Sequence, residues 1–378
     1  MVKYLCYSKL DKNKELLGKR RSKMSVDKAQ MHFDVFDGKT DYIPLVINIE
    51  PKEKVNITPW EAMQDPQRQI DAFVKNNEYN LMLPTDRVVS IESNFLECLI
   101  PSMFGAKPFA SPGGWVDVAP VIDDLEDFED VEVTDGLLQQ AEEHLRYLKN
   151  NVPENVHVAN TRFMAPLDCG VVIRGSDFYL DLLCDPDLAM SFMNKVARIS
   201  IDAMKRLKKV IGEPDDRQMN ATTGYWIRGT RLTGDSIVNV SPDVIKNMLV
   251  PSMQVFKEEL GGIILHYCCK PAPSGHVLPA LCECGDIVRA VDNWQGYRTF
   301  FNENGDGMLQ DKIGMCADFP ISEVENVEKF MEQDIFSKVP RKGGRGFLVR
   351  TRAKTLDQAK ALYDNWQNYF AKHGMLYS

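Results

Sequence analysis

Short apolar runs alternate with long amphipathic stretches along the chain. Tyr42–Ile49, Arg87–Ile91, Val156–Asn160, Gly262–His266, Ile287–Val291, Lys312–Cys316 and Gly346–Arg350 are rich in branched aliphatic residues without strict polar alternation. Such runs predict strands buried on both faces, as in a parallel sheet. Gln218–Ala221 and Arg231–Thr233 are weaker strand candidates. Between the strands, Asp185-Pro186 opens a helix as N-cap and first-turn proline. Its inward stripe is Leu188, Ala189, Phe192, Met193, Val196, Ile199 and Ala203, and it ends at Gly212. Ser241-Pro242 opens another helix, which Pro251 should kink and Gly261-Gly262 should end. Ser322 with Glu325, and Thr355 with Gln358, each have the spacing of a capping box.

This alternation predicts an α/β protein with a parallel sheet. Several strands end in polar groups: Asn48-Ile49-Glu50, Glu92-Ser93-Asn94, Asn160-Thr161-Arg162 and His266-Tyr267-Cys268. Functional groups at many C-terminal strand ends are the mark of a (β/α)8 TIM barrel. The rival, an open doubly wound sheet, usually has a glycine-rich first turn, and none follows the first strand here. Residues 1–378 are then one barrel, with an N-terminal helical extension over about 1–40 and a loop excursion around 101–135.

Charge narrows the partners. Lys+Arg number 45 and Asp+Glu 54, a net charge of -9, which argues against a general nucleic-acid binder. The compact basic run Lys19-Arg20-Arg21-Ser22-Lys23 reads as a solvated helix face. The opening residues contain no apolar core of a secretory signal, and no apolar stretch approaches the roughly 20 residues of a membrane span. Nine cysteines, an odd number set mostly in apolar runs, fit reduced thiols in a cytoplasmic protein.

Asp41–Leu45, Phe104-Gly105-Ala106, Pro120-Val121-Ile122, Phe163–Leu167, Gly175, Asp185-Pro186, Gly234-Asp235-Ser236, Ser241-Pro242, Val250-Pro251 and above all Gly261–Cys268 resemble segments of the uroporphyrinogen decarboxylase superfamily. That superfamily includes zinc-dependent methyltransferases that work with corrinoid proteins. The resemblance implies a (β/α)8 barrel of the uroporphyrinogen decarboxylase-like type, often dimeric. The sequence departs from the decarboxylases: their arginine-rich N-terminal motif is absent, and the second and last strands end in Ile91-Glu92-Ser93 and Val349-Arg350-Thr351. The methyltransferases use His-x-Cys plus a cysteine near the last strand. His266 and Cys268 match the first part, while Arg350 stands where the distant cysteine would be.

The residues themselves support a metal reading. His266 and Cys268 are two apart at a strand end, so both point to one side. Imidazole and thiolate are a good zinc pair, and zinc would lower the pKa of a substrate thiol. Candidates for a third ligand are Cys316, Cys269, Glu92 and Asp235, with Cys316 ranked first. The alternative is a buried histidine hydrogen-bonded to a carboxylate, beside packed thiols. Cys282-Glu283-Cys284 falls on a helical stretch, where residues two apart diverge, and reads as structural.

Other strand-end groups have similar choices. Asp235 or Asp318 could orient His266 through its far nitrogen, or cap a loop. Glu92 could be a general base or ligand, or a salt-bridge partner of a neighbour such as Arg87, and Asn94 lies beside it for substrate binding. Trp115, Tyr225, Trp226 and Tyr267 could wall an apolar substrate pocket or pack on the barrel rim. Arg350 and Arg352 could hold an anionic substrate group or make surface ion pairs.

The leading expectation is a methyltransferase moving a methyl group between a corrinoid protein (methylcobalamin-bearing) or a methylated small molecule and an acceptor, with zinc. The alternatives are a decarboxylase-like lyase using Glu92, Asp235 and Arg350 on a tetrapyrrole or other carboxylated substrate, and a non-catalytic barrel that docks a corrinoid protein.

Overall fold

The computed structural model of this chain describes residues 28–83, 85–129, 131–268, 275–293, 313–333, 336 and 342–377. The basic run at 19–23 and Cys269 lie outside them. The principal strands are β1 (Leu45–Ile49), β2 (Ser90–Glu92), β3 (His157–Ala159), β4 (Phe163–Met164), β5 (Thr230–Thr233), β6 (Ile263–His266), β7 (Val288–Asn293), β8 (Gly314–Asp318) and β9 (Phe347–Ala353). Seven of them form one parallel sheet in the order β1-β9-β8-β7-β6-β5-β4, while β2 and β3 form a separate parallel pair. The sheet follows chain order and sets the first strand beside the last.

The ladder does not close. Among the described residues no strand pairing joins β1 to β2, or β3 to the seven-stranded sheet. The described residues therefore show an open seven-stranded parallel sheet and a separate two-stranded pair, and not the expected closed ring of eight. Side chains satisfy donors at both breaks. Beside β1, the Leu45 N–H donates to Asp86 Oδ2 and the Ile49 N–H to Asn80 Oδ1, both at 2.8 Å. In β5, next to the short edge strand β4, the Arg231 N–H donates to Gln218 Oε1 at 3.0 Å. Buried backbone donors need such partners.

Gln218–Ala221, a strand candidate, is used differently from the others. Arg217–Asn220 folds back on Tyr225–Arg228 as an antiparallel hairpin. Tyr225 and Ile227 of that hairpin are fully buried and pack with Phe36, Val46, Ile264, Ala290, Cys316 and Leu348. The neighbouring residues Leu45, Ile47, Leu265, Val291, Ala317 and Val349 join instead the large core shared with the helices. The sheet is therefore buried on both faces, by helices on one and by the hairpin on the other. This explains the missing polar alternation in its strands.

Helix boundaries follow the local chemistry, with one exception. In Pro186–Ile211 the Asp185 carboxylate accepts from the Leu188 N–H, and Gly212 ends the helix at φ 81. The five residues before Val250-Pro251 widen into a π turn, whose Val250 N–H reaches back to Ile245 O. A wider turn accommodates the proline, which lacks a donor and crowds the preceding turn. Thr355 caps Leu356–Lys372. The expected Ser322–Glu325 box does not form: Ile321–Val324 has no side-chain cap, and Asn326 caps the next helix, Val327–Met331. Asn326 is an equally strong capping residue placed one turn later.

The N-terminal extension is helical over 28–36. The 101–135 excursion carries a small hairpin, Pro108–Ala110 with Val116–Val118, and a 3-10 turn at Leu125–Glu129. Among the described residues no helix is long and apolar enough to cross a membrane, and no disulfide is formed.

A candidate metal centre and the charged layer beside it

Five strands, β1, β6, β7, β8 and β9, end with the same two-step pattern on the hairpin-facing side. An apolar residue is followed, two positions on, by a polar one: Ile264 then His266, Ala290 then Asp292, Cys316 then Asp318, Leu348 then Arg350, Val46 then Asn48. Strand periodicity places both members of each pair on one face. The first members make the apolar core with the hairpin. The second members make a polar layer at the C-terminal ends of the strands.

At one corner of this layer, Asp235, His266 and Cys268 bring ligand atoms within 4.8 Å of one another. His266 Nε2 lies 2.9 Å from Cys268 Sγ, and the Cys268 N–H donates to Asp235 Oδ1. The backbone fixes the corner: the Gly234 N–H donates to His266 O at 2.7 Å, tying the turn after β5 to the end of β6. Asp168 steadies the same turn by accepting from the Ser236 N–H at 2.9 Å. Burial, assisted by the charge of Asp235, pushes the Asp168 carboxyl up to about 7.

The donor set is one nitrogen, one sulfur and one oxygen, which suits zinc with an open fourth position. His266 is buried, Cys268 half-buried and Asp235 exposed, so the corner faces solvent from the Asp235 side. Cys316, ranked first as third ligand, is not in this group. It is fully buried in the hairpin-covered core, where burial and the charge of Asp292 hold its thiol well above the usual range. Asp235 stands there instead, because the turn after β5 brings it to the Cys268 N–H, a proximity set by strand order rather than spacing.

Behind His266 stands Asp292, fully buried at the end of β7. Its Oδ1 lies 3.9 Å from His266 Nδ1 and 3.6 Å from Arg350 Nη1. At 3.9 Å the first is an electrostatic contact longer than a hydrogen bond. Oδ2 takes Arg231 Nε at 3.3 Å and Asn220 Nδ2 at 3.2 Å, with Tyr225 Oη at 3.5 Å. Arg350 in turn grips Asp318 with two bonds of 2.6 Å. Two arginines and two aspartates thus form a charge-balanced cluster, buried except for the half-buried Asp318. Burial alone would raise the Asp292 carboxyl, but the His266 ring, Arg350 and Arg231 outweigh it and hold Asp292 well below the carboxylate range. Burial, then the charge of Arg231, lowers the His266 pKa against the pull of Asp292 and Asp235.

Asp292 therefore occupies the position behind His266 expected of Asp235 or Asp318. Asp235 is on the ligand side, and Asp318 is held by Arg350. Glu92 pairs with Arg162 at 2.7 Å instead of Arg87 or a metal ligand. Asn94 is half-buried beyond the end of β2. Among the aromatic candidates, Tyr225 and Tyr267 are fully buried, Trp226 packs edge-on against His157 at 4.7 Å, and Trp115 is 60% exposed on the small hairpin. Of the two readings open to them, packing rather than walling a pocket describes Tyr225, Trp226 and Tyr267.

Asp292 and Arg231 are site residues that the strand patterns did not single out. Asp292 follows an apolar run directly, the same strand-end signal that marks His266. Arg231 is a charge between Thr230 and Leu232 in a buried strand. No family model matches this sequence, and no curated protein matches it.

Proposed function

We propose that this chain closes as a (β/α)8 barrel of the uroporphyrinogen decarboxylase-like type and works in the cytoplasm as a zinc-assisted methyltransferase. It would move a methyl group between a corrinoid protein or methylated small molecule and an acceptor. The observation that carries the reading is the convergence of Asp235, His266 and Cys268 at a strand end. Chain-ordered parallel strands with β1 beside β9 support the barrel.

The donors fit the metal. A bound zinc ion supplies Lewis acidity that lowers the pKa of a substrate thiol. Asp292, beside His266 Nδ1, favours the tautomer with Nε2 available as a ligand. The Cys268 N–H holds Asp235 near the other two donors. Arg231 and Arg350 keep Asp292 ionised for this task.

Zinc titration of chelator-treated protein tests the reading, followed by assay of methyl transfer from methylcobalamin to a thiol. One equivalent is expected, lost in His266→Ala and Cys268→Ser, with transfer dependent on it. Binding of less than about half an equivalent, unchanged by His266→Ala, sinks the metal reading.

A further inference from the structure

A second feature of the same sheet end is separate from the metal corner. Asn48, Arg87, Thr222, Thr223, Arg350 and Arg352 help line a small cavity of about 60 Å³ between β1, β9 and the hairpin turn. Its one acidic lining residue, Asp318, is already bound by Arg350 through two bonds.

Arg87 and Arg352 are not balanced in this way. Among the described residues neither has a carboxylate within ion-pair distance. Arg87 uses Nη1 to donate to Asn48 Oδ1 at 2.8 Å, a neutral partner. Burial, then repulsion by Arg350, lowers its guanidinium pKa to about 10. Thr223 adds an independent sign. It is 2% exposed, lines the cavity, and its Oγ1 has no hydrogen-bond partner among the described residues. Buried hydroxyls are rarely left unsatisfied.

The position of Arg87 is built into the hairpin turn. Gly224 has φ 80, and a Cβ there would come within 2.5 Å of Arg87 Cγ. The Val88 N–H donates to Gly224 O at 2.7 Å. The turn thus presses the arginine stem toward β1 and holds Thr223 beside it.

We propose that this cavity is an oxyanion subsite, taking the carboxylate or phosphate end of a small molecule between Arg87, Arg352 and Thr223. Two guanidinium groups offer the directed donors that oxyanions match, and the hydroxyl supplies a third direction. Arg350 acts as a fixed wall, since its charge is matched by Asp318 and Asp292. The subsite goes beyond the methyl-transfer reading and does not require a metal.

Calorimetric titration of metal-free protein with inorganic phosphate and with acetate, at matched ionic strength, tests it. Saturable binding of at least one anion is expected, weakened tenfold or more in Arg87→Gln and Arg352→Gln and several-fold in Thr223→Val. Preference for acetate identifies a carboxylate site, and preference for phosphate a phosphate site. Arg352 is exposed, so its variant keeps the test valid should Arg87→Gln unfold. Cys268→Ser should bind the anion as wild type does, which separates this subsite from the metal centre. No saturable binding, or equal affinity in Arg352→Gln and wild type, would overturn the proposal.

Discussion

His266 joins two clusters built on opposite rules. On its Nε2 side lie Cys268 Sγ, at 2.9 Å, and Asp235, which accepts from the Cys268 N–H and is open to solvent. On its Nδ1 side, Asp292 is fully buried and surrounded by Arg231, Arg350, Asn220 and Tyr225. The first arrangement gathers three possible donor groups at a solvent-facing edge. The second neutralises every charge it buries. A carboxylate out of water is tolerated only when cations and donors replace its hydration, whereas a ligand carboxylate must keep its lone pairs accessible. The two aspartates near one imidazole therefore sit in different surroundings: Asp235 beside the solvent-facing donors, Asp292 as a buried, compensated charge behind the ring.

The largest expected effect breaks the compensated side. Asp292→Asn keeps the shape but leaves Arg231 and Arg350 facing only one carboxylate. A loss of about 3–5 kcal/mol in urea denaturation is expected, the cost of uncovering a buried charge. The double variant Arg231→Met/Asp292→Asn should recover a substantial part of that loss. A loss below about 1 kcal/mol in the single variant would show that the cluster is not jointly compensated.

A smaller effect contrasts charged with neutral burial. His144 is buried, bonds Gln69 at 2.8 Å, and is lowered by burial from 6.5 to about 4. His157 is lowered by burial in the same way, also to about 4. Between these values the unfolded chain binds protons that the native state refuses, so stability falls as pH drops from about 6.5 and levels off below about 4. Asp292, whose carboxyl is depressed, keeps its contribution through this window and loses it only at lower pH. His144→Gln should remove about 3 kcal/mol of the decline between about pH 7 and about pH 4, since each tenfold loss of proton affinity corresponds to about 1.4 kcal/mol. An unchanged slope in denaturation measured across that range would assign the acid loss elsewhere.

These contrasts also mark what the sequence could disclose. The apolar runs gave away the strands, because burial on both faces leaves no ambiguity of side. The same-side placement of His266 and Cys268 followed from period-two geometry alone. The identity of the third group did not, because it depends on which strands neighbour β6. In sequence Cys316 is 48 residues beyond Cys268 and Asp235 is 33 before it, yet spacing says nothing about which faces it. Cys316 lies one layer deeper, two positions before the polar residue of its strand. Asp292 was hidden for a related reason: register places it opposite His266, and register is a property of the pair. The hairpin on that face of the sheet was hidden because Gln218–Ala221 has the composition of a strand but pairs antiparallel with a segment that follows it closely.

The smaller predictions sharpen the choice of third ligand. Asp235→Asn should weaken zinc binding about 10- to 100-fold, because an amide oxygen is a poorer donor than a carboxylate and the charge is lost. Its fold should be nearly unaffected, as Asp235 is exposed.

Cys316→Ala gives the opposite pattern and the smallest effect on metal. It removes one sulfur from a filled core beside Tyr225 and Leu348, so stability should fall by about 1–2 kcal/mol. Zinc affinity should stay within about twofold of wild type, because the thiol sits among apolar side chains and its ionisation is opposed by burial and by Asp292. Parallel zinc titrations of the two variants decide the matter. If Cys316→Ala weakens zinc and Asp235→Asn does not, the thiol must reach the metal through a rearrangement of β8, and the division between an open ligand corner and a closed charged layer is wrong.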